Sequence, residues 1–294
     1  HYHLDPMPRR RHMPRRVHPR ALALLLAAGA CVCVCVCLPV HAADDRDAVS
    51  TINHAFATEL GTGAYDLGGS SIFVLRFTPE WQVRDAGTAV PGVRLIVPIT
   101  AGSVGFSPED TIGGELPSRI DSFSLMPGIE LDFPRRNDWM LIPWLRAGAS
   151  LADGSNEGWL YGLGTRLEQN RTRDALEVKR LHELALVVVD YRNAHGRDRF
   201  LRLRNAVDAR LPVLRLRGTR KLAAGLYGMV DIVADPPEAP ADAGKQSIVQ
   251  AEAGITFNTD PRFEIGPIRW PRLGLGYRYA GDFSGWRIVI GAPF

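Results

Sequence analysis

The chain has 294 residues, 46% of them hydrophobic, with 35 basic and 32 acidic side chains and a formal charge of +3. The basic excess is confined to residues 1–42, which hold six Arg and one Asp; without them the balance becomes 29 basic to 31 acidic. Nucleic-acid binding, which needs a clustered positive surface, thereby loses its support, and all four Cys belong to the same segment, so neither a disulfide framework nor a cysteine metal site is expected.

The opening HYHLDPMPRRRH does not begin with Met, and Met7 and Met13 are candidate starts. From Met13 a basic stretch, MPRRVHPR, is followed by the apolar run ALALLLAAGACVCVCVCLPV and then by small residues in HAADD. This is the order of an export signal, with cleavage expected after Ala42 and Val40 at the −3 position. Cys31, Cys33, Cys35 and Cys37 alternate with Val inside the run and serve as apolar filler. Two other readings stay open. Residues 21–40 match the ~20 residues that span a bilayer as a helix, so a retained anchor is one; a lipoprotein modified at Cys31 is the other. Pro39 and the acidic pair Asp44 and Asp45 favour the cut. The organisation read from this is a signal segment through residue 42, a short segment over 43–54, and one domain over 55–294.

Beyond residue 44 no apolar segment is long enough to span a bilayer as a helix, and alternation with period two dominates. Phe73, Leu75, Phe77, Trp81 and Val83 oppose Arg76, Thr78, Glu80, Gln82 and Arg84. Phe123, Leu125, Pro127, Ile129, Leu131 and Phe133 oppose Ser122, Ser124, Met126, Gly128, Glu130 and Asp132. Trp159, Tyr161 and Leu163 oppose Gly162, Gly164 and Arg166. Further on, Val249, Ala251, Ala253, Ile255 and Phe257 oppose Gln250, Glu252, Gly254, Thr256 and Asn258, and Leu273, Leu275, Tyr277 and Tyr279 oppose Arg272, Gly274, Gly276 and Arg278. The chain ends on Trp286, Ile288, Ile290, Ala292 and Phe294, an apolar row closing on an aromatic residue, the pattern that the outer-membrane assembly machinery reads in its clients.

A soluble sandwich also alternates. The strands here are long enough for a tilted membrane strand. Aromatic residues gather near strand ends (Trp81, Phe133, Trp139, Trp159, Tyr191, Phe257, Trp270, Trp286, Phe294), as interfacial girdles require. The polar faces are rich in charge and glycine, which fits a lumen. The fold expected is therefore all-β, a transmembrane antiparallel up-and-down barrel. Candidate strands cover 71–84, 92–103, 119–133, 139–151, 157–169, 178–191, 199–211, 221–233, 247–258, 272–280 and 286–294. Bacterial single-chain barrels have even strand numbers, so a twelfth is expected within 55–67, and ten remains the alternative. With the last strand running toward the periplasm, 104–118, 152–156, 193–198 and 234–246 lie outside and the short break at 134–138 lies inside. Two stretches resist the scheme: 173–183 has helix-forming composition, and 263–270 reads as a short extra strand or an inward fold.

The motifs RWPRLGLGYRYAGDFSGWRIVIGAPF, SLMPGIELDFP, WLYGLGTRL and AAGLYGMVDIV resemble the solitary outer membrane autotransporter β-barrel domain family. The resemblance covers residues 55–294 and implies a twelve-stranded barrel of the translocator type. With only about a dozen residues between the expected cleavage site and the first strand, no passenger segment is expected, and the motifs are structural rather than catalytic.

No catalytic constellation is legible. His54, His182 and His195 are the His residues beyond the signal segment, no G-x-S-x-G occurs, and the neighbours His182 and Glu183 must point to opposite faces of a strand. Gly61-Thr62-Gly63 and Gly162-Leu163-Gly164 fall short of a phosphate-binding loop. The chemistry that does stand out is lumen charge: Arg76, Arg84, Arg94, Arg146, Arg166, Arg202, Arg204, Arg210, Arg278 and Arg287 against Glu80, Glu130, Asp132, Glu168, Asp208, Asp231 and Glu252. Two readings follow, a mutually paired network or an arginine ladder that selects anions, with Arg202, Arg204 and Arg210 as its test positions. The expected role is that of a non-enzymatic, porin-like or structural and interaction barrel in the outer membrane of a Gram-negative cell. No cofactor, metal or nucleic acid is expected; outer-membrane lipid is, with the barrel assembly machinery and periplasmic chaperones during biogenesis. A membrane-embedded hydrolase and a soluble periplasmic β-sandwich binding protein are the alternatives, and a lumen plug formed by the N-terminal segment stays open.

Overall fold

A computed structural model describes residues 59–67, 70–87, 90–104, 120–152, 157–192, 197–215, 221–234, 249–260, 264–265, 268–269, 272–281 and 283–294. The segment expected to be an export signal, residues 43–58 with His54, and His195 and Trp270 lie outside the described residues.

The strands are β1 (Gly63–Leu67), β2 (Ser70–Phe77), β3 (Glu80–Arg84), β4 (Gly92–Ile96), β5 (Ile99–Val104), β6 (Ser122–Leu125), β7 (Gly128–Pro134), β8 (Trp139–Ala152), β9 (Gly158–Arg173), β10 (Leu176–Tyr191), β11 (Arg197–Arg215), β12 (Lys221–Ala234), β13 (Val249–Asp260), β14 (Glu264–Ile265), β15 (Ile268–Arg269), β16 (Leu273–Ala280) and β17 (Phe283–Ile290). β2 continues into β3, β4 into β5 and β6 into β7 as single staves, and β14 and β15 form a separate hairpin, which leaves twelve staves. Each stave pairs antiparallel with its chain neighbour, and β1 pairs with β17 at Ala64↔Trp286, so the sheet closes into a ring; among the described residues β3 pairs on one side only, with β4.

Three of the expected continuous strands are each split in two, and proline is the reason. Pro79, Pro98 and Pro127 interrupt three neighbouring staves and carry no N–H for the ladder. Their carbonyls still accept across the gap: Val97 N–H bonds Pro79 O, Met126 N–H bonds Pro98 O and Ala147 N–H bonds Pro127 O, each at 3.0 Å. The interruption therefore steps from stave to stave without opening the wall.

The helix-forming composition of 173–183 does not prevail. Strands β9 and β10 pair along their full length around a turn at Asp174–Ala175, where Asp174 adopts φ 56°, and the alternation of Leu181, Glu183, Ala185, Val187 and Val189 into the lumen outweighs local propensity. The last strand is also shifted. It spans Phe283–Ile290 rather than 286–294, because Gly291 at φ +93° turns the backbone. Phe294 does not extend the outer apolar row; its ring turns inward against Leu181, Ala206 and Met229, with the Lys179 ammonium 5.8 Å from its centroid. Tyr191, expected in a girdle, likewise packs on an inner cluster that includes Leu160, Val189 and Phe200.

No helix among the described residues is long and apolar enough to cross a membrane. The outer wall is apolar: Leu226 is 67% exposed, Leu145 57% and Trp286 46%, whereas inward Glu130 and Asp231 are 2% exposed. This is the inverse of a soluble domain, which keeps charge outside and apolar side chains inside.

Candidate functional site in the barrel lumen

Alternation along each stave sends one set of side chains inward, and that set carries the charge. Glu130 on β7 is a hub. Arg166 reaches its carboxylate at 2.7 Å, Arg146 at 3.3 Å and Arg94 at 3.5 Å. Arg94 also holds Asp132 at 2.8 Å and Glu80 at 3.2 Å. From Arg166 the network passes to Glu168 at 2.8 Å, which Lys179 meets at 3.1 Å. Arg202 on β11 takes Glu183 of β10 at 2.5 Å.

A second set begins beside Arg202. Arg204 grips both oxygens of Asp231 at 2.7 Å, the bidentate geometry that suits guanidinium to carboxylate. Arg278 bridges Asp231 at 2.8 Å and Glu252 at 3.1 Å, and Arg287 meets Glu252 at 2.8 Å. The Tyr227 hydroxyl donates to the same carboxylate at 2.8 Å. Nearer the mouth Arg272 grips both oxygens of Asp208 at 2.5 Å, and Arg210 pairs with Glu177. Most of these pairs join neighbouring staves, while Arg272 and Asp208 meet from staves that are not paired.

The chain ahead of β1 enters this space. Glu59, Leu60, Gly61 and Thr62 are all buried. Leu60 joins an inner cluster with Tyr65, Ile72, Val74 and Phe283, the Tyr65 hydroxyl donates to Gly61 O at 2.9 Å, and the Thr62 hydroxyl accepts from Arg76 N–H at 2.9 Å. Glu59 crosses to Arg202 on the far wall. Burial alone would raise its carboxyl, but Arg202, then Arg76, Arg146 and Arg204, outweigh burial and hold it down at about 2.

Glycine on the inner face is a packing device. A Cβ at Gly164 would lie 2.6 Å from the Trp144 ring, and one at Gly276 would lie 1.9 Å from the Tyr227 hydroxyl oxygen. Arg146 in turn caps the Trp144 ring at 4.3 Å. The Gly162-Leu163-Gly164 segment is accounted for by that indole, and Gly61-Thr62-Gly63 by the close approach of Arg287 and the Trp286 carbonyl.

The lumen charges expected from sequence do face inward together: Arg76, Arg94, Glu130, Asp132, Arg146, Arg166, Arg202, Arg204, Asp208, Arg210, Glu252, Arg278 and Arg287 all lie on the inner parity of their staves. Arg84 is the departure. It sits exposed at the end of β3, its Nε donating to Pro91 O at 3.0 Å. Glu59, Glu183, Arg272 and Tyr227 complete the network and were not singled out. Glu183 was readable, since His182 and Glu183 must diverge, and they do: His182 faces out and Glu183 is buried. Glu59 carried no signal, because it precedes any periodic segment. Among the described residues no group of three or more His, Cys, Asp or Glu is arranged to hold a metal ion.

No family model and no curated relative matches the chain. Among solved structures, the β domain of the Bordetella autotransporter BrkA is similar at 14% identity and a TM-score of 0.39, over 78% of this chain and 91% of that one.

Proposed function

We propose that this chain is a non-enzymatic outer-membrane β-barrel of the autotransporter-translocator type, with a lumen closed by ion pairs and by the segment entering ahead of β1. The observation that carries the reading is the inversion of polarity across one closed sheet. Lipid-facing positions of such barrels are apolar while the interior is polar, and closure removes the unpaired backbone groups that hydrocarbon does not tolerate. A twelve-stave ring fits the even strand numbers of these barrels, both ends of the sheet meet on the side opposite the two longest connections, 105–121 and 235–248, and that side is assigned to the periplasm.

The closed-lumen reading is preferred to the anion ladder because the guanidinium groups offered for a ladder are engaged by carboxylates. Arg202 holds Glu183 and Glu59, Arg204 holds Asp231, and Arg210 holds Glu177. A selective ring needs cations that face the pore. The role supported is structural or interactive, with Trp286, Ile288 and Ile290 as the outward row offered to the assembly machinery. In a membrane fraction, the folded protein is expected to migrate faster on a gel before boiling than after. A protein released with the soluble periplasmic fraction, with one mobility under both conditions, contradicts the reading.

A further inference from the structure

We propose that the outer wall carries a binding groove for an anionic glycerophospholipid, its acyl chain along a floor of small residues and its phosphate at Arg180. This rests on the outer-membrane reading above. The groove, of about 610 Å³, crosses β10 to β16 and lies within the size range of ligand sites, ~300–1,000 Å³.

Two rungs of the ladder build it. One carries Arg180, Val207, Gly228, Ala253 and Tyr277 in register, and the next carries His182, Asn205, Val230, Ala251 and Tyr279. Gly228, Ala251 and Ala253 place nothing beyond a Cβ on the surface, so the wall dips there. Tyr277 and Tyr279, 42% and 57% exposed, rise beside the dip. The result is a slot with an apolar body.

Its other end is polar. Arg180 and His182 are exposed on the outer face, and the inward Arg94, Arg146, Arg166, Arg202, Arg204, Arg278 and Arg287 have acids while no carboxylate among the described residues pairs with Arg180. A cation directed at lipid is costly unless an anion meets it. The His182 ring is held by a 2.8 Å hydrogen bond between Nδ1 and Asn205 Oδ1, and the Trp139 ring lies 5.9 Å away, centroid to centroid. Arg180 also sits close to the turn at Asp174–Ala175, on the side of the short turns, where headgroups lie if that side faces the periplasm. An apolar body with one cationic end at the interface complements an amphiphile whose headgroup is an anion.

The test uses the full chain refolded in detergent and native mass spectrometry with phosphatidylglycerol or phosphatidylcholine of identical acyl chains. About a tenfold preference for phosphatidylglycerol is expected, because phosphatidylcholine offers the same phosphate together with a trimethylammonium group whose positive charge opposes Arg180. Arg180→Gln should abolish the preference, and Ala253→Phe, which fills the floor, should reduce retention of both lipids. Equal retention of the two lipids by the wild type, a preference unchanged in Arg180→Gln, or dimers in place of lipid adducts would overturn the proposal. Heat-modifiable mobility is read on the same samples: a folded barrel without preference overturns the groove alone, and a chain with no heat-modifiable form overturns the membrane reading with it.

Discussion

Glu59 and Arg202 stand 143 residues apart in the chain and meet inside the barrel. The pair ties the chain ahead of β1 to the opposite wall, where Arg202 also holds Glu183. Breaking a buried ion pair leaves an uncompensated charge, which costs about 3–5 kcal/mol. Glu59→Gln should therefore lower unfolding stability by about 3 kcal/mol, the lower part of that range because Glu183 remains. Urea unfolding of refolded protein checks this, and a loss below ~0.5 kcal/mol, typical of a surface site, would mean that the segment is not anchored there.

The same carboxyl makes a pH prediction. Its pKa is lowered on folding from 4.5 to about 2, so below pH 4.5 the unfolded chain takes up a proton before the folded one does. The stabilisation from Glu59 is thus complete above 4.5 and is lost as pH falls toward 2. Stability measured across this window should fall more steeply in the wild type than in Glu59→Gln. Parallel curves would contradict the assignment.

Glu130 gathers Arg94, Arg146 and Arg166. Glu130→Gln leaves these three guanidinium groups facing one another around a neutral amide. The temperature at which the gel mobility converts should drop sharply, with a cost of about 3–5 kcal/mol. Glu130→Gln combined with Arg146→Met should recover part of the loss, since the repulsion falls with the charge.

Gly164 is expected to tolerate no side chain. A Cβ there meets both the Leu184 carbonyl and the Trp144 ring at 2.6 Å, so Gly164→Val must displace the indole and with it Arg146. Overpacking of this kind costs about 1–3 kcal/mol. Gly87→Val, at a position where the nearest atom to a Cβ is 3.7 Å away, serves as the control and should leave stability within ~0.5 kcal/mol.

Phe294 separates two roles. As a sorting signal alone it would matter only during assembly; as a packed ring against Leu181, Ala206 and Met229 it also contributes to the finished barrel. Phe294→Ala refolded in detergent should lose about 1–2 kcal/mol, less than the ~3–5 kcal/mol of a fully buried Phe. An unchanged unfolding midpoint would restrict the residue to assembly.

Period-two alternation made most of the barrel legible, because a stave with an apolar outer face and a charged inner one has to alternate. It placed Glu130, Arg204, Asp231 and Arg278 on the inner face before any geometry was known. What it missed lies where alternation stops. Pro79, Pro98 and Pro127 keep the face pattern while removing an N–H, so the breaks they cause are invisible to polarity. Gly291 redirects a backbone whose residues still alternate, which is why Phe294 was read as part of the strand. Glu59 precedes the first strand, and although Arg272 was read on the polar face of 272–280, the partners of both, 143 and 64 residues away, are set only by closure of the barrel.

The central claim is that the apolar outer wall contacts lipid while the charged face does not, and bromolipid quenching of tryptophan fluorescence addresses it most directly. Two variants are needed, one retaining only Trp286 on the outer wall and one retaining only Trp144 on the inner, with the other tryptophans replaced by Phe. In vesicles with brominated acyl chains, Trp286 is predicted to be strongly quenched and Trp144 to keep its emission. Equal emission from Trp286 in brominated and ordinary vesicles, or stronger quenching of Trp144, would contradict the account.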